Sequence, residues 1–198
     1  MKKTNLYKAL AASAILSTAM VANAKTETYS VGFVTIQDLT ITQQQGLSFG
    51  QNIIGKAGTT CTLAFATNTT SSVTTLAAPA NFNDNTTGAG CINVTAAVNN
   101  LVGIYTISGS ADQNVNITVA SITGTDFTFT PSASAITQGD DINVGGSFTS
   151  VFADSPQADG LGSSGAVALI VGGTLTVGGS DLTANTPYSG TFDITATY

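Results

Sequence analysis

The last twelve residues of the chain alternate between two kinds of side chain without interruption. From Pro187 to Tyr198, every second residue is apolar or small and the residues between them are mostly polar. Side chains of a β-strand point alternately to its two faces, so this pattern predicts a strand with one apolar face, half buried in a sheet. A chain that ends on such a strand has to pair it into a sheet.

Most of the chain after residue 24 has the composition of strands. Runs rich in Thr, Val, Ile, Phe and Tyr are separated by Gly, Asn, Asp and Ser, and no long run carries an apolar stripe with helical spacing. About ten short strands without a substantial helix favour one all-β domain, an antiparallel β-sandwich. The predicted strands are 29–36, 38–43, 47–49, 61–65, a weak one near 73–76, 91–95, 102–109, 115–120, 126–130, 142–152, 166–177 and the tail, with loops over 77–90 and 154–164.

The N-terminus has the pattern of a secretory signal peptide. Three lysines precede an apolar run over residues 9–21, and Ala22-Asn23-Ala24 fits the small-x-small cleavage rule. We therefore expect residues 1–24 to be removed and residues 25–198 to form a single domain, within which 25–37 is a possible pairing or donor strand. The run is too short to span a bilayer. The expected location is the periplasm, the outer cell surface or the extracellular space.

Charge excludes several classes of partner. Of five Lys and Arg residues only Lys25 and Lys56 follow residue 24, against eleven Asp and Glu, so the net charge of residues 25–198 is 2 − 11 = −9. Nucleic acid and anionic membrane surfaces need clustered Lys and Arg, so neither is an expected partner.

The residues that catalysis would need are largely missing. The chain has no His, which excludes Ser-His-Asp and Cys-His nucleophilic sites. Asp140 and Asp141 are adjacent, so on a strand they would face opposite sides and in a turn both would be solvated. We expect no enzymatic activity and no cofactor.

The two cysteines, Cys61 and Cys91, are predicted to form a disulfide. An even cysteine count in an exported chain favours a structural bridge, and a zinc or redox motif is absent. In the chain-entropy account, closing such a loop stabilises a domain by about 3 to 4 kcal/mol.

Asp154 and Asp159 precede a Gly-rich stretch and, together with carbonyl oxygens of that loop, are the candidates for a calcium site. Carboxylate and carbonyl oxygens are the ligands that Ca²⁺ prefers, but the Asp-x-Asp-x-Asp-Gly spacing of a dedicated loop is absent. Turn-forming acids are the simpler interpretation of both residues.

Four ordered segments carry a resemblance to a known bacterial family. They are L-S-F-G at 47–50, Y-T-I-S-G at 105–109, V-G-G-T-L at 171–175 and Y-S-G-x-F at 188–192. Over about residues 39–198 the chain resembles the exported domains known as DUF4402, a domain of unknown function. The resemblance implies a secreted, Ig-like β-sandwich and supplies no catalytic residues. A looser likeness, of type and not of motif, is to fimbrial subunits.

Residues 26–36 favour a role in assembly. Tyr29, Val31 and Phe33 alternate with smaller residues, so this strand either adds to a sheet of another subunit or forms the first core strand of its own domain. The expected function is that of a non-enzymatic, exported surface or pilus-like structural subunit, whose partners are copies of itself or another surface subunit. The alternative is a monomeric secreted or periplasmic binding module, with carbohydrate as its candidate ligand.

Overall fold

The structure is a computed structural model. It describes residues 27–28, 30–51, 53–67, 82–92, 94–97, 101–137, 149–152, 154 and 157–198. Two compact units divide the chain, residues 1–35 and residues 36–198. The predicted signal peptide lies outside the described residues, so it stays a prediction.

The described residues of the second unit form twelve antiparallel strands in two sheets and contain no helix. This confirms the all-β prediction. The strands are β1 (Thr40–Gln45), β2 (Thr60–Thr67), β3 (Phe82–Thr87), β4 (Val94–Ala97), β5 (Gly103–Ser108), β6 (Asn114–Val119), β7 (Ile122–Thr123), β8 (Phe127–Thr137), β9 (Thr149–Phe152), β10 (Gln157–Gly160), β11 (Ala166–Val177) and β12 (Ile194–Thr197).

Strand β11 is the centre of the larger sheet. Its sequence AVALIVGGTLTV is a nearly continuous apolar run, as expected of a strand that is buried on both faces. Along its whole length β11 pairs with β8 on one side. On the other side, residues 166–171 pair with β5, and residues 173–176 pair with β2. The strand thus changes partner at Gly172-Gly173, and the sheet divides there into a β5–β1 branch and a β2–β3–β4 branch.

The smaller sheet has the order β10–β6–β12 and packs against one face of the larger sheet. Val115, Ile117 and Val119 alternate along β6 and are fully buried, because they meet the alternate residues of β11 that point to the same side. The buried residues of this core come from β5, β6, β8 and β11, together with Leu161. The two sheets are therefore the layers of a sandwich.

A second core lies on the opposite face of the larger sheet. Ile104 of β5 and Ile170 of β11 point into it, and Leu47 and Phe49 cover it in part. Nearby, Cys61 of β2 and Cys91 are both buried and form the expected disulfide, with Cα atoms 5.2 Å apart. The bridge connects the start of β2 to the turn after β3.

The tail is shorter as a strand than its alternation predicts. Only Ile194–Thr197 pairs, with β6, although the alternation of half-buried and exposed residues runs from Thr191 to Thr197. β11 and the tail do not form a hairpin with each other, because they belong to different sheets.

Three other sequence-based expectations need correction. Residues 47–49 form no strand, and Leu47 and Phe49 instead pack as a loop over the second core. Two predicted loops contain strands, β3 and β10, whose sequences FNDNTT and QADG have the composition of turns. Tertiary pairing outweighs local propensity in both.

The partner change on β11 leads to a first prediction. Gly173 has φ +145°, and a Cβ there would collide with the Thr130 carbonyl oxygen and lie 2.8 Å from the Phe129 ring. Gly173→Ala is therefore expected to lower the free energy of unfolding by at least about 2 kcal/mol, measured by urea denaturation. Gly179→Ala is the matched control, because a Cβ at Gly179 meets nothing within 4 Å. Equal stability of the two variants would contradict this account of the sheet division.

Candidate functional site

The segment predicted to donate a strand is exposed. Residues 30–36, called the N-terminal segment below, belong to no strand, and the exposed fractions of Val31, Phe33 and Val34 are 93%, 87% and 95%. Neither Val31 nor Phe33 is buried in the described part of the chain, and their role as donor or first-strand side chains stays a prediction. Tyr29 lies outside the described residues.

The chain that follows this segment is held at Gln37. Its N–H donates to the Ser110 hydroxyl oxygen at 2.6 Å, and the Tyr198 hydroxyl donates to its carbonyl oxygen at 2.5 Å. The same Tyr198 oxygen accepts the N–H of Ser110 at 2.8 Å. The C-terminal tyrosine thus connects the chain just before β1 to the β5–β6 turn.

An open groove of about 470 Å³, called the seam groove below, lies between the two sheets at one edge of the sandwich. β1 and the turn after it form one side, and residues 190–194, which lead into β12, form the other. Ile41, which the alternation places in the core, is 40% exposed and lines this groove. The remaining side chains that matter here are Gln43, Leu47, Tyr105, Phe192 and Ile194.

The floor of the seam groove is aromatic. The Tyr105 and Phe192 rings meet edge to face, with centroids 6.1 Å apart, and Phe192 also contacts the buried Phe129 ring at 5.9 Å. Burial raises the pKa of the Tyr105 phenol above its ordinary value, so this residue stays neutral at physiological pH. None of the described residues that line the groove is Asp, Glu, Lys or Arg. Its chemistry suits an uncharged, apolar occupant.

A buried carboxylate supports the β1 side of the groove from behind. Asp84 of β3 is 1% exposed, and its Oδ2 accepts the N–H of Leu101 at 2.6 Å. The Leu101 carbonyl in turn accepts the N–H of Ser48, and the Val102 carbonyl accepts the Gln45 side-chain amide at 2.7 Å. The turn that carries Leu47 is therefore connected through residues 101–102 to Asp84. Sequence reasoning missed Asp84 because it lies in a run of turn-forming residues.

Burial also perturbs the titration of Asp84. Its Oδ1 is buried and has no hydrogen-bond partner among the described residues. Burial raises the pKa of the carboxyl above 3.8, against the lowering effect of the backbone N–H groups of Leu101 and Val102. The neutral carboxyl is thus favoured more strongly in the folded chain than in the unfolded one.

Of the two candidate calcium residues, only Asp154 has a described side chain. Asp154 is exposed, has φ 57° and accepts the N–H of Ser121 at 2.9 Å, which lowers the pKa of its carboxyl. This geometry belongs to a turn-forming acid. The side chain of Asp159 and the whole of Asp140-Asp141 lie outside the described residues.

Among the residues that the structure describes, no three Asp, Glu, Cys or His side chains cluster closely enough to hold a metal ion. Within the same ranges, no helix has the length and apolar character needed to cross a membrane.

Fold and site together define an all-β domain with a disulfide, two sheets and an open apolar groove at an edge of the described part. The chain belongs to the family described as domain of unknown function (DUF4402), whose family model matches residues 39–198. The match covers the second unit except for its first three residues and leaves the N-terminal segment outside. No curated protein and no solved structure matched the chain.

The perturbed carboxyl gives a second prediction. Because the folded-state pKa of Asp84 is raised, its contribution to stability is fully present below the unfolded pKa near 3.8 and is lost as pH rises through the folded pKa. As the pH rises from 4 to 8, the free energy of unfolding of the wild-type chain should therefore fall relative to that of the Asp84→Asn variant, whose side-chain amide cannot titrate. Denaturation across a pH series measures the difference. Parallel pH profiles for the two proteins would contradict a raised pKa.

Proposed function

We propose that this protein is a non-enzymatic, exported structural subunit of the cell surface, pilus-like in its assembly, which associates with copies of itself through strand pairing and packing. The observation that carries the proposal is the exposure of Val31, Phe33 and Val34 in a segment outside every strand. Three neighbouring, almost fully exposed large apolar side chains are costly in a domain that acts alone in water.

Burial of this segment against another subunit would supply a strong driving force. Fully burying a Val or Phe side chain contributes about 1.5 to 3 kcal/mol, so Val31 and Phe33 together offer about 3 to 6 kcal/mol. Backbone hydrogen bonds between the strands would set the register and direction of the association, which apolar burial alone does not. The disulfide is compatible with an oxidising, exported setting, because disulfides form and persist in such compartments.

The composition fits assembly better than ligand chemistry. Residues 28–37 contain no charged side chain, in a chain whose predicted mature form has a net charge of 2 − 11 = −9. An uncharged segment can leave water without the desolvation cost of a charge. Exposed Trp, the common platform for sugar rings, is absent from the whole sequence, which disfavours the carbohydrate-binding alternative.

A deletion tests this proposal. We expect the chain that begins at Lys25 to self-associate with rising concentration, measured by size-exclusion chromatography with light scattering, and to appear in filaments in sheared cell-surface material. Removal of residues 25–35 should leave a monomer whose circular dichroism still shows β-sheet, because the retained residues form the compact second unit.

Two substitutions serve as a check that does not shorten the chain. Val31→Ser with Phe33→Ser should weaken association, whereas Ser30→Ala with Thr35→Ala, the matched polar control in the same segment, should not. A chain that remains monomeric at all concentrations, or a deletion that leaves association unchanged, would contradict the proposal. A monomer that binds a glycan would favour the binding-module alternative.

A further inference from the structure

We propose that the seam groove is the acceptor for a strand from a second copy of this chain, and that the occupant is the N-terminal segment of that copy. This inference rests on the proposed function and adds to it the surface that receives the strand. Donor and acceptor would then be different surfaces of one subunit. An interface of this heterologous kind continues from copy to copy and yields open filaments.

The two strands beside the groove have unpaired edges. Among the described strands, β1 pairs only with β5, and β12 pairs only with β6. Edge strands usually carry charges, prolines or bulges that prevent further pairing. β1 (TITQQQ) and β12 (ITAT) contain neither charge nor proline, and the single register shift of β1 lies near its end, between Gln43 and Gln45. The backbone of β1 is thus available for another strand.

The opposite side of the sandwich is closed by this chain's own strands. There β9 of the larger sheet lies next to both β10 and β6 of the smaller sheet. The edge formed by β1 and residues 190–194 instead contains the open groove, which exposes apolar side chains there. A strand added there would cover Ile41, Leu47 and Phe192.

The N-terminal segment matches the groove in chemistry and in length. Neither the segment nor the groove lining has a charged side chain, so no ion pair has to be made and no charge has to be desolvated. Phe33 can meet the aromatic floor of Tyr105 and Phe192, a favoured kind of contact. At about 3.3 Å per residue, the seven-residue segment spans about 23 Å and the six-residue β1 about 20 Å.

A second copy is a better source of this strand than the chain itself. To lie antiparallel along β1, the segment that directly precedes β1 would have to reverse direction within residues 36–39. The structure has no turn there, and Gln37 is held through both its N–H and its carbonyl by Ser110 and Tyr198. The segment of another copy meets no such restriction.

A charge in the groove tests the assignment. Ile41→Asp places a carboxylate in the groove at a side chain that is already 40% exposed, so the variant is expected to fold. Its apparent association constant, from light scattering of the chain that begins at Lys25, should fall at least about tenfold. Ile54→Asp is the matched control, because Ile54 is 56% exposed and does not line the groove. Its association should equal that of the unsubstituted chain.

Cross-linking between copies locates the contact directly. Both native cysteines are in the disulfide, so an introduced thiol reacts alone. Copies with Thr35→Cys are mixed with copies carrying Gln43→Cys, which lines the groove, or Ser180→Cys, an exposed site outside the groove. Because a bound strand raises the local thiol concentration, mixed disulfide should form at least about tenfold faster with Gln43→Cys.

The possible outcomes separate this inference from the proposed function. If deletion of residues 25–35 abolishes association and the Ile41→Asp and Ile54→Asp variants associate equally, the subunit function stands and the groove assignment is wrong. If the deletion has no effect, the proposed function fails and this inference fails with it. Equal cross-linking at Gln43→Cys and Ser180→Cys would likewise overturn the groove assignment.

Discussion

The buried strand β11 is the constraint on which the rest of the domain depends. It pairs with β8 along its length and divides its other edge between β5 and β2. At the point of division the backbone of Gly173 lies so close to β8 that no side chain fits, because a Cβ would meet the Thr130 carbonyl oxygen. The apolar residues on the two faces of the strand then supply two separate cores, one containing Leu169 and the other Ile170. One strand thus determines both where the sheet branches and which residues each branch buries.

The open edge of the sandwich follows from this branching. The β5–β1 branch ends at β1, and the three-stranded sheet beneath it ends at β12. Neither β1 nor β12 has a further described strand beside it. Among the described residues, the core between the sheets is therefore covered at this edge by Phe192, Ile194 and neighbouring side chains that remain partly exposed. The hydrogen bonds of Tyr198 to Gln37 and Ser110 tie the two sheets together at one end of this edge. The two sheets are therefore held together at this edge by a few side chains and not by backbone hydrogen bonds between strands.

The sequence predicts the elements of this fold better than their partners. Strands with strict alternation or long apolar runs, such as β6 and β11, are evident from their residues, and the cysteine pair follows from compartment and count. β3 is not evident, because FNDNTT has the composition of a turn and becomes a strand only by pairing with β2. For the same reason, the buried role of Asp84 is invisible before the chain is folded. Of the candidate site, the sequence indicates the apolar segment around Val31 and Phe33, but the seam groove is made by strands distant in sequence, and no local pattern encodes it.

Charge explains why one kind of contact between copies would be favoured over others. The predicted mature chain has a net charge of 2 − 11 = −9, so two copies that approach at random repel each other over about one Debye length, ~8 Å at physiological salt. The N-terminal segment and the seam groove are free of charged side chains, so they can approach closely with less repulsion and no desolvated carboxylate. In the proposed assembly, repulsion elsewhere would act against other contacts between copies, and apolar burial would favour the contact of segment and groove. An acidic surface and an unprotected edge strand are therefore compatible, because the charge limits the aggregation that such an edge would otherwise invite.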